Sequence, residues 1–131
     1  MKAVPFLWLS TAALLAAVIL PAFASVPGGQ VRHIVIFKYK KTATEEQIRQ
    51  VTDAFRALKE KIPGLVSFEQ GANISPEKKD QGFSHVYLLT FDGVKSRDAY
   101  LPHPEHKKFG DLLGRLGVLE DVFVVDFSSQ P

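Results

Sequence analysis

Val31-Arg-His-Ile-Val-Ile-Phe-Lys-Tyr-Lys40 is the stretch that decides the fold. Val31, His33, Val35, Phe37 and Tyr39 share one parity, and Arg32, Ile34, Ile36, Lys38 and Lys40 share the other. That is the period of a β-strand. The centre of the run is apolar on both parities, so this strand needs cover on both faces.

Working outward, Thr44 to Lys61 reads as a helix. Thr44 is placed to cap it, and Gln47, three residues on, completes a capping box. Ile48, Val51, Phe55, Leu58 and Ile62 step by three and four along one stripe, and Pro63-Gly64 stops it. Leu65 to Asn73 is a second strand with Val66 and Phe68 on one face, and Ile74 to Gln81 is a polar loop. Phe83 to Phe91 is a third strand: Phe83, His85, Tyr87, Leu89 and Phe91 face one way, Val86 and Leu88 the other. After Asp92-Gly93, Ser96 is placed to cap a short helical turn that runs to Tyr100, where Pro102 interrupts. Pro104 suits the first position of a new helix reaching Leu116 and ended by Gly117. Val118 to Phe127 is the last strand.

The order β-α-β-β-α-β predicts an α+β, ferredoxin-like domain: a four-stranded antiparallel sheet with two helices on one face. Two helices cover one face of a sheet whose strands are apolar on both. The simplest solution is a homodimer with the bare faces packed together.

The chain has 131 residues, 16 basic and 14 acidic, and no cysteine. Its lysine pairs are dispersed, which argues against a nucleic-acid partner. Met1-Lys2 is followed by an uncharged apolar run from Ala3 to Ala24 that ends in Ala22-Phe23-Ala24. This reads as a signal peptide over residues 1–24, and predicts a secreted or periplasmic protein free of the membrane after cleavage. Residues 25–30 (Ser-Val-Pro-Gly-Gly-Gln) are a linker, and the domain spans residues 31–128.

The chemistry rests with the four histidines. His33 and His85 share parity with the larger aromatic residues of their strands. His103 and His106 lie in Tyr100-Leu-Pro-His-Pro-Glu-His106. His106 precedes Phe109 by three and Leu113 by seven, so it lies on the apolar side of its helix, as a core histidine or as a general base at a pocket mouth. If the strand parities of His33 and His85 face the helices, three imidazoles border one cleft. His103 orders the kink between two prolines. His103 and His106 have a chelating spacing, but there is no His-Glu-x-x-His motif and no thiolate, so no metal is expected. No Gly-x-Gly-x-x-Gly or Gly-x-Ser-x-Gly occurs, and no organic cofactor is expected.

Three motifs give the chain a family resemblance: His33-Ile-Val-Ile-Phe-Lys38, Gln81-Gly-Phe-Ser-His85 and Tyr100-Leu-Pro-His-Pro-Glu-His106. From Val31 to Phe127 it resembles the stress-responsive α/β barrel (Dabb) family, whose members are ferredoxin-like dimers with two sheets forming a barrel. The resemblance implies His106 as general base with Tyr100 as its partner. It implies a pocket lined by His33, His85, Phe37, Phe55 and His103 that takes a small hydrophobic or aromatic ligand. A plant cyclase of the family carries a pocket tyrosine on the first helix, where this chain has Phe55. Three functions follow as expectations: a ligand-binding barrel, a cofactor-independent acid–base enzyme of the polyketide cyclase or aldol type, and a quinol-type monooxygenase.

Overall fold

The computed structural model describes residues 29–128. The signal-peptide reading and most of the linker lie outside these residues. The elements run β1 (Val31–Tyr39), α1 (Glu45–Arg56), a 3-10 turn (Ala57–Glu60), β2 (Leu65–Ala72), β3 (His85–Phe91), α2 (Val94–Tyr100), α3 (Pro104–Leu116) and β4 (Leu119–Ser128). β1 pairs antiparallel with β3 and β4, and β3 with β2, giving the sheet order β2-β3-β1-β4. This is the expected α+β, ferredoxin-like arrangement, with a third, short helix. No helix of the described residues is long and apolar enough to cross a membrane.

The parity read from the sequence holds for β1: Val31, His33, Val35 and Phe37 are buried on the helix side. Leu89 and Phe91 of β3, Phe55 and Leu58 of the first helical segment, and Phe109 of α3 complete the core. Thr44 caps α1 as expected, accepting from the Gln47 amide while the Gln47 side chain returns to the Thr44 amide. His103 caps α3, its Nδ1 accepting from the Glu105 amide at 3.2 Å.

Four expectations are corrected. The first helix does not run unbroken to Lys61; it tightens into the 3-10 turn at Ala57, whose amide is shared between the Asp53 and Phe55 carbonyls. Such tightening satisfies the last carbonyls of a helix, and here it places Leu58 and Ile62 in the core. Val66 and Phe68 do not share a buried face. The register of β2 shifts between Leu65 and Ser67, so Leu65 and Phe68 turn inward and Val66 is exposed. Phe83 precedes β3 and sits 6.1 Å from Phe123, in a hollow with Ile36 and Val86 on the face away from the helices. Ser96 does not cap α2, which begins at Val94; its side chain lies against Gly64 instead.

That contact explains Gly64. Its φ is +83°, and a Cβ there would stand 2.2 Å from the Ser96 hydroxyl oxygen. Gly71, inside β2, has nothing within 4 Å of the same position. Gly64→Ala should therefore lower stability by about 1–3 kcal/mol, whereas Gly71→Ala should leave it unchanged or raise it by roughly 0.5 kcal/mol. Urea denaturation of the two variants separates these outcomes; equal effects would contradict the close approach.

Candidate functional site

A cleft of about 240 Å³ opens between α3 and the β1–β4 side of the sheet. Its floor and end wall are apolar: Phe37 from β1, Phe55 from α1 and Phe109 from α3. Phe55 stacks on Phe109 at 4.4 Å and on Phe37 at 6.0 Å. Val122 and Val124 of β4 form the outer wall, and Leu101 stands at the rim. The polar groups are few and adjoining. His33, Tyr100 and His106 all line the cleft, with the Tyr100 ring 4.2 Å from that of His106 and 5.7 Å from that of His33. An apolar hollow with a few convergent polar groups is the usual form of a small-molecule site.

His106 has a defined tautomer. Its Nδ1 lies 2.9 Å from the Leu101 carbonyl oxygen. A carbonyl only accepts, so Nδ1 carries the hydrogen and, in the neutral ring, Nε2 keeps the lone pair. The carbonyl is presented by the turn between α2 and α3, whose start His103 caps. His103 thus shapes the segment that orients His106 and does not line the cleft itself.

His33 is held differently. Opposite it on β4 is Asp126, the cross-strand partner on the same face. The His33 Nδ1–H donates to an Asp126 carboxylate oxygen at 2.5 Å, and Arg97 of α2 pairs with the other oxygen. Burial, the neighbouring His106 and Arg97 hold the His33 imidazole down at about 4. Arg97 shares the carboxylate and so offsets the pull of Asp126 on a second proton. At neutral pH the His33 ring is uncharged, with a lone pair on Nε2 as well.

The Tyr100 side chain is fully buried, and burial pushes its phenol up. Its hydroxyl has no hydrogen-bond partner among the described residues. Buried polar groups are paired in the great majority of cases, and an unpaired one costs about 1–3 kcal/mol.

Two residues expected at this site lie elsewhere. His85 sits four residues along the strand axis from the level of His33, opposite Phe37, which is about 13 Å at strand spacing. It packs edge-on to Tyr39 at 4.8 Å and bonds Ser84 at 2.8 Å, and burial lowers its pKa. A chain of hydroxyls, Tyr39 to Tyr87 at 3.0 Å and Tyr87 to Thr52 at 2.9 Å, continues from there into the core. His103 is the helix cap described above. Reading the residues alone missed Asp126 and Arg97. Asp126 had a signal: a carboxylate on the parity of Val122 and Val124, which it shares in this strand with Glu120. Among the described residues no group of three or more His, Cys, Asp or Glu is placed to hold a metal ion.

The low proton affinity of His33 has a sign that can be checked. Below pH 6.5 the unfolded chain takes up a proton that the folded chain refuses, so stability is complete above pH 6.5 and falls as pH drops toward 4. The loss attributable to this residue reaches up to about 3 kcal/mol near pH 4. Urea denaturation between pH 7 and pH 4 should show the decline, and His33→Asn should flatten it; an equally steep profile in the variant would refute the assignment.

Comparison with known proteins places this geometry in a family. The stress-responsive A/B barrel domain (Dabb) model matches residues 31–129. The chain is 28% identical over 99 residues to the stress-response A/B barrel domain-containing protein HS1 of Arabidopsis thaliana, covering 76% of this chain and 89% of that protein. It is 29% identical over 82 residues to olivetolic acid cyclase of Cannabis sativa, covering 63% and 81%. Among solved structures, it superposes on a hydroxynitrile lyase from Passiflora edulis with a TM-score of 0.71 and 25% identity, over 79% of this chain and 96% of that one. It superposes on a dimeric ferredoxin-like protein of unknown function from Jannaschia with a TM-score of 0.66 and 26% identity, over 77% and 100%. This chain belongs to the stress-responsive A/B barrel domain family.

Proposed function

We propose that the cleft binds a small aromatic or apolar molecule carrying a carbonyl or hydroxyl oxygen, and that the Tyr100 hydroxyl meets that oxygen. The unpartnered, buried Tyr100 hydroxyl carries this reading. A ligand oxygen would give it the hydrogen bond that the chain does not supply. The stacked Phe37, Phe55 and Phe109 suit an aromatic ring or short apolar chain, and the volume suits a one-ring compound.

A second reading, cofactor-independent acid–base catalysis, is favoured by the tautomer of His106. Its Nε2 lone pair is available to take a proton from carbon beside a carbonyl. The Tyr100 phenol would donate to the oxygen on which charge grows. The activities named for two relatives, a cyclase and a lyase, support chemistry of this kind. Replacement of a pocket tyrosine by Phe55 removes a polar contact from the first helix, so the substrate need not match that of the cyclase.

Two further parts belong to the reading. Two copies pair through the bare sheet face, where Phe123, Val125 and Phe127 are about half exposed beside Ile34 and Ile36. The segment before the domain directs export; amino-terminal sequencing of the exported protein should begin at Ser25, and recovery of an intact Met1 would reverse this.

A thermal-shift screen against phenolics, quinones and lactones tests the ligand. A compound at a hundredfold excess over its Kd adds about 2.7 kcal/mol. That is a rise on the order of 10 °C for a domain of this size. Tyr100→Phe should raise the melting temperature of the unliganded protein, because it removes an unpaired hydroxyl, and should abolish or sharply reduce the ligand shift. Stabilisation by no compound class, or an undiminished shift in the variant, would sink the reading. Any turnover found should vanish in His106→Ala while the melting temperature stays within a few degrees of wild type.

A further inference from the structure

β4 is an edge strand whose two parities face different parts of the molecule. Val122, Val124 and Asp126 turn toward the helices: the valines are the outer wall of the cleft, and Asp126 holds His33. Phe123, Val125 and Phe127 turn to the bare face. The strand is anchored by its pairing with β1, and Val122, Phe123, Val124, Val125 and Phe127, spread over both parities, remain between 40% and 51% exposed. The chain itself therefore leaves one wall of its own cleft clamped from neither side.

We propose that a second copy of this chain, seated on the bare face, fixes β4 and with it the outer wall of the cleft, so that ligand uptake and dimerisation are coupled. This rests on the ligand and pairing readings above. The occupant is a second copy on two grounds. The bare face carries both signs of charge at its margins, Arg32 and Lys38 on β1 against Glu69 on β2 and Asp121 on β4. A face of mixed charge around an apolar middle does not repel its own copy, as a face of one sign would. Solved structures similar to this chain at 26–28% identity are themselves dimeric.

The coupling path is the pleat of one strand. Phe123 and Val125 flank Val124 in the chain, and Val125 and Phe127 flank Asp126. A partner pressing on the first set fixes the backbone that carries the second. Val124 then holds its distance from α3, and Asp126 holds His33 in place beside Tyr100. The coupling is reciprocal: what dimerisation adds to ligand affinity, ligand adds to dimerisation. With one cleft in each copy, a roughly tenfold gain per cleft becomes about a hundredfold tightening of the dimer at saturation.

The test uses 4-hydroxyacetophenone, a one-ring phenolic ketone, as the probe. Analytical ultracentrifugation of the chain from Ser25 to Pro131 measures the dimer with and without probe, and titration calorimetry measures probe affinity. Val125→Asp charges the bare face at a position whose side chain does not line the cleft; circular dichroism checks its fold. The expected result is a folded monomer that binds the probe at least about tenfold more weakly than wild type, and a wild-type dimer tightened by the probe. If the variant does not fold, dilution of wild type through its dimer Kd supplies monomer without mutation, and probe affinity should fall across that range. Equal affinity in monomer and dimer overturns the coupling and leaves the dimer standing. A wild-type chain that is monomeric at all concentrations removes the pairing and the coupling with it. A wild-type dimer that does not bind the probe removes the ligand class instead, and the coupling built on it.

Discussion

The stack of Phe37, Phe55 and Phe109 holds the molecule together at the place where its site begins. One ring comes from the central strand and one from each long helix. The stack therefore fixes how far α1 and α3 stand from the sheet. The same rings close the end of the cleft. Core and binding wall are one set of side chains, so the cleft inherits the rigidity of close-packed aromatic contacts. Phe55 is central to this double role: a polar group in its place would have to be satisfied inside the stack.

Around that apolar wall, burial keeps His33 and Tyr100 in their neutral forms. Burial lowers His33, and Arg97 takes half of the Asp126 carboxylate that would otherwise favour the imidazolium. His106 gives its Nδ1 hydrogen to the Leu101 carbonyl. Tyr100 is kept protonated by burial. The outcome is a neutral imidazole at His33, a second imidazole at His106 with its Nδ1 occupied, and one phenol donor beside an apolar cavity. This combination suits hydrogen bonding to a carbonyl or transfer of a proton beside one, and it suits charged ligands poorly. The second histidine of the sheet, His85, follows another logic. It bonds Ser84 and packs its ring against Tyr39, whose hydroxyl begins a network with Tyr87 and Thr52 at the far end of the helix-facing side.

The sheet also separates two tasks by parity. On β1 one parity supplies the core and His33 while the other supplies Ile34 and Ile36 to the bare face. On β4 one parity supplies the cleft wall and Asp126 while the other supplies Phe123, Val125 and Phe127. A register slip of one residue would exchange every one of these roles. The cross-strand pairing of His33 with Asp126 guards against that slip, because the buried imidazole meets its carboxylate in one register only.

The amino-acid sequence by itself determined the order of elements, the capping of α1 by Thr44 and Gln47, the start of α3 at Pro104 and the two-faced character of the strands. These depend on side-chain period, on turn chemistry and on residues close in the chain, all of which are local. Only the tertiary structure decided which histidines meet. His33 and His85 have the same parity on neighbouring strands, but the antiparallel register sets them at opposite ends of the sheet, and parity carries no information about position along a strand. The same holds for Asp126, 93 residues from His33 in the chain, and for Arg97, whose guanidinium reaches that carboxylate from a helix. It holds too for Phe83, which left its predicted face because the strand starts two residues later, at His85. Long-range register and helix placement are set by how apolar faces fill one another, and that is a property of the packed whole.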